Sequence, residues 1–454
     1  MFIRNNHDEL EDARMELTEI VKEMGIVGAG GAGFPTHVKL GNQVETVIAN
    51  GTECEPLLLN DKYILKIHGE DVVRGLELVL QATGAKKGII ALKQKHTPIV
   101  HQMESMIEGR KNLSLALLDD FYPAGDEQIL VNMVTGRVVS QGQLPPTVGC
   151  LVSNVETLRN IYLASLGKPV TRRTLTCIGE IKNPSVVNAR IGMSIQGVID
   201  VCGGAKVEDP VVIVGGPMMG SIERDLNAPV TKTMTGLIVL PHHHFLIQKK
   251  SMSMSWVVKQ SKAACCQCTY CTELCPRYLL GHELYPHKIM RSINFGLDVP
   301  PEVVENAFLC SECGLCEVFA CPMDLSPRMV NHAIKTSLIE SNYRPQLSVK
   351  RKVNRVNDLI NRKIPVSRIK ERLQIRQYDQ TDFTQAFETN PTRVEVLLQQ
   401  HIGQPSIPVV KVGDQVTEGA LLADIPHGSW GAKIHASITG QVTLVNHERV
   451  IITG

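Results

Sequence analysis

Eight of the thirteen cysteines fall in two short runs, CCQCTYCTELCP from Cys265 to Pro276 and CSECGLCEVFACP from Cys310 to Pro322. In the first, Cys265, Cys268, Cys271 and Cys275 have the spacing CxxCxxCxxxC, with Pro276 next. Three thiolates two residues apart on a tight loop reach three corners of one iron–sulfur cube, so this spacing indicates one-electron transfer. The second run supplies the triplet Cys310, Cys313 and Cys316, then Cys321 before Pro322, with one more intervening residue than the first run has. That extra residue is expected to form a bulge near the cluster that Cys321 completes. Structural zinc is the alternative, but it favours two well-separated CxxC pairs and has no use for a third cysteine two residues on. Cys266 reads as a neighbour of the cluster and not a ligand.

The paired runs resemble those of bacterial two-cluster ferredoxins, in which the fourth ligand of each cluster comes from the other run. The resemblance implies one 4Fe–4S cluster on Cys265, Cys268, Cys271 and Cys321, and a second on Cys310, Cys313, Cys316 and Cys275.

A second candidate site is the glycine-rich GAGGAGFP at Gly28 to Pro35. Gly30, Gly31 and Gly33 let the backbone approach a ligand, N–H groups at a following helix would hold a phosphate, and Lys39 would add positive charge. A tight structural turn is the alternative. Asn50, Glu53 and Glu55 in NGTECEP follow the short strand VETVIA, which puts polar and acidic groups at the carboxyl-end crevice where α/β sheets bind ligands. His242, His243 and His244 have no partner ligands at set spacing, so a solvated loop fits them better than a metal.

These residues must be positioned by about three or four domains, the usual division of 454 residues. Hydrophobic residues make up 43% of the chain and aromatics 4%, so aliphatic side chains must fill the cores. A net charge of +1 gives no overall pull toward nucleic acid or membrane. Residues 9–24 place Leu10, Ala13, Leu17, Ile20, Val21 and Met24 at helical spacing. Alternating apolar runs and helical stretches then predict an α/β layer with a mostly parallel sheet to about residue 165. Short β-rich segments from Thr171 to about Leu240 predict a small mixed domain, and the last 50 residues a small β-sandwich. Between Arg344 and Arg376, eleven Lys or Arg face two acids. This basic segment reads either as a solvated helix face or as a dock for an acidic acceptor. Only Tyr343 interrupts it with an aromatic, which argues against nucleic acid. No apolar stretch approaches the roughly 18 to 20 residues of a transmembrane segment, so a soluble cytoplasmic protein is expected. Cys54, Cys150, Cys177 and Cys202 are expected to be reduced thiols.

GAGGAGFPTHVKL, NGTECEP, YPAGDE and SNVET, in this order, resemble the flavin-binding fold of the 51-kDa subunit of respiratory complex I and of the Rnf complex C subunit. The resemblance implies FMN on the loop of Gly28, Gly30, Gly31 and Gly33, with its phosphate near Lys39. Polar contacts would come from Asn50, Glu53, Gly125, Asp126, Ser153, Asn154 and Thr157. It also implies NADH as donor, its nicotinamide stacked on the flavin and Phe34 near the nucleotide path. Ala29 stands where the complex I subunit has an arginine. TLTCIGEIKNPSVVNARIGMSIQGVIDVCGG resembles the soluble-ligand-binding β-grasp domain that follows in these families, here with a structural spacer as the simpler role. VGDQVTEGALLADI and HASITGQV resemble a lipoyl or biotinyl barrel-sandwich hybrid. No lysine stands near Ser429 at the hairpin tip and Lys433 is too close to the next strand, so covalent attachment is not expected. In the Rnf protein a similar module stands at the amino end.

This permuted order resembles the cobalamin reductases of propanediol-utilization microcompartments. The implied modules are 1–165 FMN/NADH-binding, 166–245 β-grasp, 255–335 two-cluster ferredoxin-like, 336–395 basic helical linker and 396–454 barrel-sandwich hybrid. The implied reaction is reduction of the cobalt of a corrinoid, held by or handed to an adenosyltransferase, among microcompartment shell or lumen proteins. The first helix is then either a targeting signal or an ordinary first helix. Two other readings stand beside this one: a peripheral NADH-oxidising subunit of an Rnf-like membrane complex, and a non-catalytic electron relay of a protein shell. In none of them need a side chain act as a general acid or base.

Overall fold

The computed structural model describes residues 6–295, 300–343, 345, 357–379 and 385–454. Arg344 and residues 346–356 of the basic segment lie outside them. The first module runs α1 (Asn6–Glu23), α2 (Thr36–Leu40), β1 (Thr46–Gly51), α3 (Asn60–Thr83), β2 (Lys87–Lys93), α4 (Thr97–Ile107), β3 (Leu113–Leu118), β4 (Phe121–Tyr122), α5 (Glu127–Thr135), β5 (Cys150–Asn154) and α6 (Val155–Ser165). Four of its strands form a parallel sheet in the order β3-β2-β1-β5. Alternate residues of β1 serve opposite layers, as the two-residue period of a strand requires. Val47 and Ala49 pack with α1, α3 and α6, whereas Ile48 packs with Leu130 and Val131 of α5. Burial on both faces explains why the strand reads as a continuous apolar run. Its register sets Asn50 beside Asn154 at the carboxyl edge of the sheet.

The second module is a six-stranded mixed sheet. β6 (Arg172–Gly179), β7 (Ser185–Arg190), β8 (Pro210–Val214), β9 (Ser221–Glu223) and β10 (Gly236–Pro241) give five strands, and Ala386–Glu388 adds the sixth alongside β7. That edge strand comes from within the stretch expected to be a basic helical linker, and Ile364–Pro365 of the same stretch pairs with β4. Ile364, Val366, Ile369, Leu373 and Ile375 are buried in one core with Ile178, Leu240 and Leu315. The apolar positions between the basic residues therefore lash three modules together, while Arg368, Arg372 and Arg376 stay exposed.

In the cysteine module, helices Met254–Ala264, Pro286–Phe295 and Pro327–Glu340 surround a core of Val257, Ile289, Met290, Leu309 and Val330. Two facing sheets make the last module. Arg393–Leu397, Arg449–Thr453, Gly440–Val445 and Gln415–Val416 form one, and Ile407–Pro408, Leu421–Asp424 and Ile434–His435 the other. Val394, Val396, Leu422, Ala436, Val442 and Ile452 fill the space between them. Among the described residues no helix is long and apolar enough to cross a membrane.

Candidate redox site

The glycine-rich loop is pinned from three sides. Thr157 of α6 accepts the Ala29 N–H at its hydroxyl, 2.9 Å away. Arg173 of β6 is buried and donates to the Ala29 and Met234 carbonyls, each at 2.6 Å, and to Glu156. From the C-terminal sandwich, the Ile402 N–H donates to the Gly33 carbonyl at 3.0 Å. Gly33 has φ +66°, and a Cβ there would fall 2.7 Å from Thr233 Cγ2, so glycine is required. Gly30 and Gly31 stay exposed, and a Cβ on Gly31 would meet nothing within 4 Å. This leaves open space over bare backbone, a shape that suits an anionic group held by amide N–H groups. The following helix is only five residues long, so the loop amides must do most of this work. Lys39 pairs with Glu127 at 2.8 Å, at the first turn of α5.

Asn50 and Asn154 form the floor of the crevice. The Asn50 amide donates to the Gly125 carbonyl at 3.0 Å, and its oxygen accepts from the Thr52 hydroxyl at 2.7 Å. Asn154 caps α6 by accepting from the Glu156 N–H at 2.9 Å and donates to Asp61 at 2.9 Å. Ser153 lies buried just before it on β5. The Glu53 carboxylate accepts from the Asp61 N–H at 3.3 Å. Lost hydration, reinforced by the Asp61 charge, raises the Glu53 pKa well above the usual range, and burial pushes Asp61 up to about 6. Carboxyls that keep a proton near neutral pH donate as well as accept hydrogen bonds, which suits the polar edge of a ring system. The loop, Asn50, Glu53, Gly125, Ser153, Asn154 and Thr157 thus line one region, while Phe34 stands at the loop's far end against Trp430.

Asp126 turns the other way. One of its oxygens caps α5, accepting from the Gln128 and Ile129 N–H groups at 3.1 Å. Both oxygens accept from the Arg277 guanidinium at 2.9 Å, and Arg277 follows Cys275 and Pro276 directly. In the same loop, the buried Tyr122 hydroxyl donates to the Cys313 carbonyl.

The cysteines ring two cavities. Cys265, Cys268, Cys271 and Cys321 line one, with His287, Met290, Met323 and Leu325. Cys275, Cys310, Cys313 and Cys316 line the other, between Arg277 and Arg328. Each quartet draws three thiols from one run and one from the other. Among the described residues no three His, Cys, Asp or Glu side chains converge to share a single ion, so each quartet encloses a volume and not a point. Backbone N–H groups of Glu312 and Leu325 point at Cys310 and Cys321 sulfurs, each at 3.4 Å, a contact that tunes iron–sulfur sites. The extra residue of the second run is taken up by a five-residue π-helical turn, Cys316–Ala320, where the wider i→i+5 closure absorbs it. Cys266 is exposed at the rim of the first cavity, and Met323 beside it is 45% exposed.

His244 caps the helix Phe245–Lys250, accepting the Leu246 N–H at 3.1 Å. Lys433 is buried and paired with Glu23 at 2.7 Å and Asp424 at 3.4 Å. Sequence reasoning singled out neither Tyr122, Arg173, Arg277 nor Trp430. The one available signal was Arg277, a lone cation set directly after the Cys-Pro of the first run.

Residues 21–163 match the Nuo51 FMN-binding domain, 264–326 a 4Fe–4S dicluster domain, and 378–453 the RnfC barrel sandwich hybrid domain. Over 449 residues, 98% of both chains, this chain is 40% identical to the cobalamin reductase PduS of Salmonella typhimurium (strain LT2). The chain belongs to the PduS family. The PduS of Citrobacter freundii is 41% identical over 440 residues, 96% of each chain. Beyond PduS, the RnfC-type component of the Na+-translocating ferredoxin:NAD+ oxidoreductase complex of Acetobacterium woodii is 37% identical over 277 residues, 60% of each chain. A solved NAD+-reducing NiFe hydrogenase in the H2-reduced state covers 74% of this chain and 64% of its own, with TM-score 0.50 and 20% identity, a likeness of fold alone. As a PduS-family oxidoreductase, this chain combines a flavin-binding and an iron–sulfur domain for electron transfer.

Proposed function

We propose that this chain is an NADH-dependent reductase that passes single electrons from FMN through two 4Fe–4S clusters to the cobalt of a corrinoid. Bound FMN would supply the exchange between a two-electron hydride and the single electrons that each cluster carries. The backbone of Gly28, Gly30, Gly31 and Gly33 holds the phosphate end, with Asn50, Glu53, Gly125, Ser153, Asn154 and Thr157 on the polar edges. Lys39 and Asp126 act one step back, fixing α5 through Glu127 and the cap. The observation that carries this reading is that Tyr122 and Asp126, from one loop of the flavin crevice, bond to Cys313 and Arg277. Both of those residues line the cavity of Cys275, Cys310, Cys313 and Cys316. That quartet is therefore the proximal cluster site. The Cys265, Cys268, Cys271 and Cys321 quartet, with Cys266 and Met323 exposed at its rim, is the distal one.

Corrinoid as acceptor is supported by the identity to proteins named cobalamin reductase. On the same kinship we place the protein in the cytoplasm within a bacterial microcompartment, serving an adenosyltransferase. The modules keep the limits 1–165, 166–245, 255–335, 336–395 and 396–454, with Ala386–Glu388 lent to the second. The test is anaerobic reconstitution followed by titration with NADH or NADPH, recording flavin bleaching, cluster reduction and cob(III)alamin reduction in one cuvette. Bleached flavin beside fully oxidised cobalamin would mean that the acceptor is wrong.

A further inference from the structure

The hairpin tip of the C-terminal sandwich, where lipoyl-like modules would carry a modified lysine, presents Trp430 to the glycine-rich loop. Its ring centroid lies 5.9 Å from that of Phe34, with an interplanar angle of 74°. The backbone beneath it is held firmly. The Trp430 carbonyl accepts the Gln404 N–H at 2.9 Å, and Gly403, with φ +125°, approaches so closely that a Cβ there would sit 2.2 Å from the Trp430 oxygen. The neighbouring Ile402 N–H reaches the Gly33 carbonyl at 3.0 Å, so the tip is fastened to the loop. Despite this anchoring the indole is 57% exposed, and Gly30, Gly31 and Ala32 across from the Phe34 end of the loop are exposed as well.

A large apolar ring fixed on a rigid base and left in water is poised to cover another ring. We propose that Trp430 is the stacking platform for the adenine of the dinucleotide, a role given by the last module to the substrate site of the first. The inference rests on the NADH reading above. A nicotinamide dinucleotide carries two rings, and hydride transfer commits the nicotinamide to the flavin, so the adenine is the ring left to seek a partner. Phe34 and Trp430, nearly perpendicular, offer it a face and an edge. Stacking of a base on an aromatic side chain is strong enough to dominate the affinity of that half of the ligand.

The chain has two tryptophans, so in a Trp256→Phe holoenzyme all indole emission reports Trp430. That variant is titrated with ADP-ribose, which has the adenine and no nicotinamide, and with nicotinamide mononucleotide, which has the reverse. ADP-ribose is expected to quench Trp430 saturably and nicotinamide mononucleotide is not. By calorimetry, Trp430→Ala should bind ADP-ribose about tenfold more weakly, and Trp430→Phe should recover most of the loss. Bleaching of FMN by NADH is followed in the same samples. If NADH bleaches the flavin while ADP-ribose leaves Trp430 emission unmoved and binds Trp430→Ala at full strength, the platform is overturned and the NADH reading stands. If NADH does not bleach the flavin of the holoenzyme, both fall together.

Discussion

The phenolic hydroxyl of Tyr122 donates to the backbone carbonyl of Cys313 at 2.7 Å. Both residues are buried, so the bond forms away from water, where it counts most. Four positions along the same loop, Asp126 grips Arg277 with both oxygens. One loop of the flavin crevice is thus also a wall of the proximal cluster cavity, and the separation of the two redox sites is set by two short bonds.

Arg277→Gln should uncouple these sites. The pair is nearly dry, with side chains 12% and 11% exposed, and leaving one buried charge unpartnered costs about 3–5 kcal/mol. NADH should still bleach the flavin at the parent rate, while stopped-flow absorbance shows cluster reduction slowed at least tenfold. Tyr122→Phe should cost about 1 kcal/mol of stability and slow the same step less. Equal slowing of both phases in Arg277→Gln would refute the coupling.

The crossed ligation predicts how cysteine variants combine. Cys321→Ser should disturb the same cluster signal as Cys268→Ser, and the double variant should lose no more iron than either single one. Cys321→Ser with Cys313→Ser should lose both clusters. Iron analysis and electron paramagnetic resonance of the reduced protein distinguish these patterns; loss of both clusters in Cys321→Ser with Cys268→Ser would contradict the assignment.

Thiol chemistry should follow exposure. Burial, helped by the Glu55 charge, pushes the Cys54 thiol up to about 12, and Cys177 is raised further by its buried contact with Cys202. Alkylation of the holoprotein at pH 8 should label Cys266, which is exposed, and spare Cys54, Cys177 and Cys202. Cys266→Ser should keep a full complement of iron. Peptide mass mapping reads out the first result, and iron loss in the variant would make Cys266 a ligand.

Much of this was legible because it is local. Cysteine spacing encodes a ligand set within a dozen residues, and the alternation along Thr46–Gly51 encodes a strand covered on both faces. The extra residue before Cys321 had to be accommodated, and a wide helical turn replaced the expected bulge. What spacing does not encode is contact between modules. Arg277 looks like any surface arginine until Asp126 is brought to it, and Tyr122 looks like a core aromatic. In the linker, the arginines hid Val366, Ile369 and Leu373, whose burial against the other modules decides where that helix lies.

Lys232 supplies a pH dependence. Its ammonium is buried at the seam of three modules, donating to the Gly25 carbonyl at 2.6 Å and the Lys433 carbonyl at 2.8 Å, and burial lowers its pKa to about 7. The unfolded value is higher, near 10.5, so between these limits the unfolded chain binds more protons. The penalty of burying the charge is full below pH 7 and is relieved as pH rises toward 10.5. Stability should therefore climb through that window, by at most about 1.4 kcal/mol per pH unit. Denaturant unfolding at pH 7, 8 and 9 should show this slope in the parent and a flatter one in Lys232→Met; identical slopes would remove Lys232 as the cause.

The bond from Ile402 to Gly33 joins a residue made late to one made early. At about 5–20 residues per second, some tens of seconds of synthesis separate them. The cysteine cavities can close while the chain is still growing, but the flavin crevice gains its last wall only after the sandwich has emerged. Loading of the nucleotide half of the site is therefore a proofreading step on complete translation, and a prematurely ended chain would hold iron without being able to accept electrons.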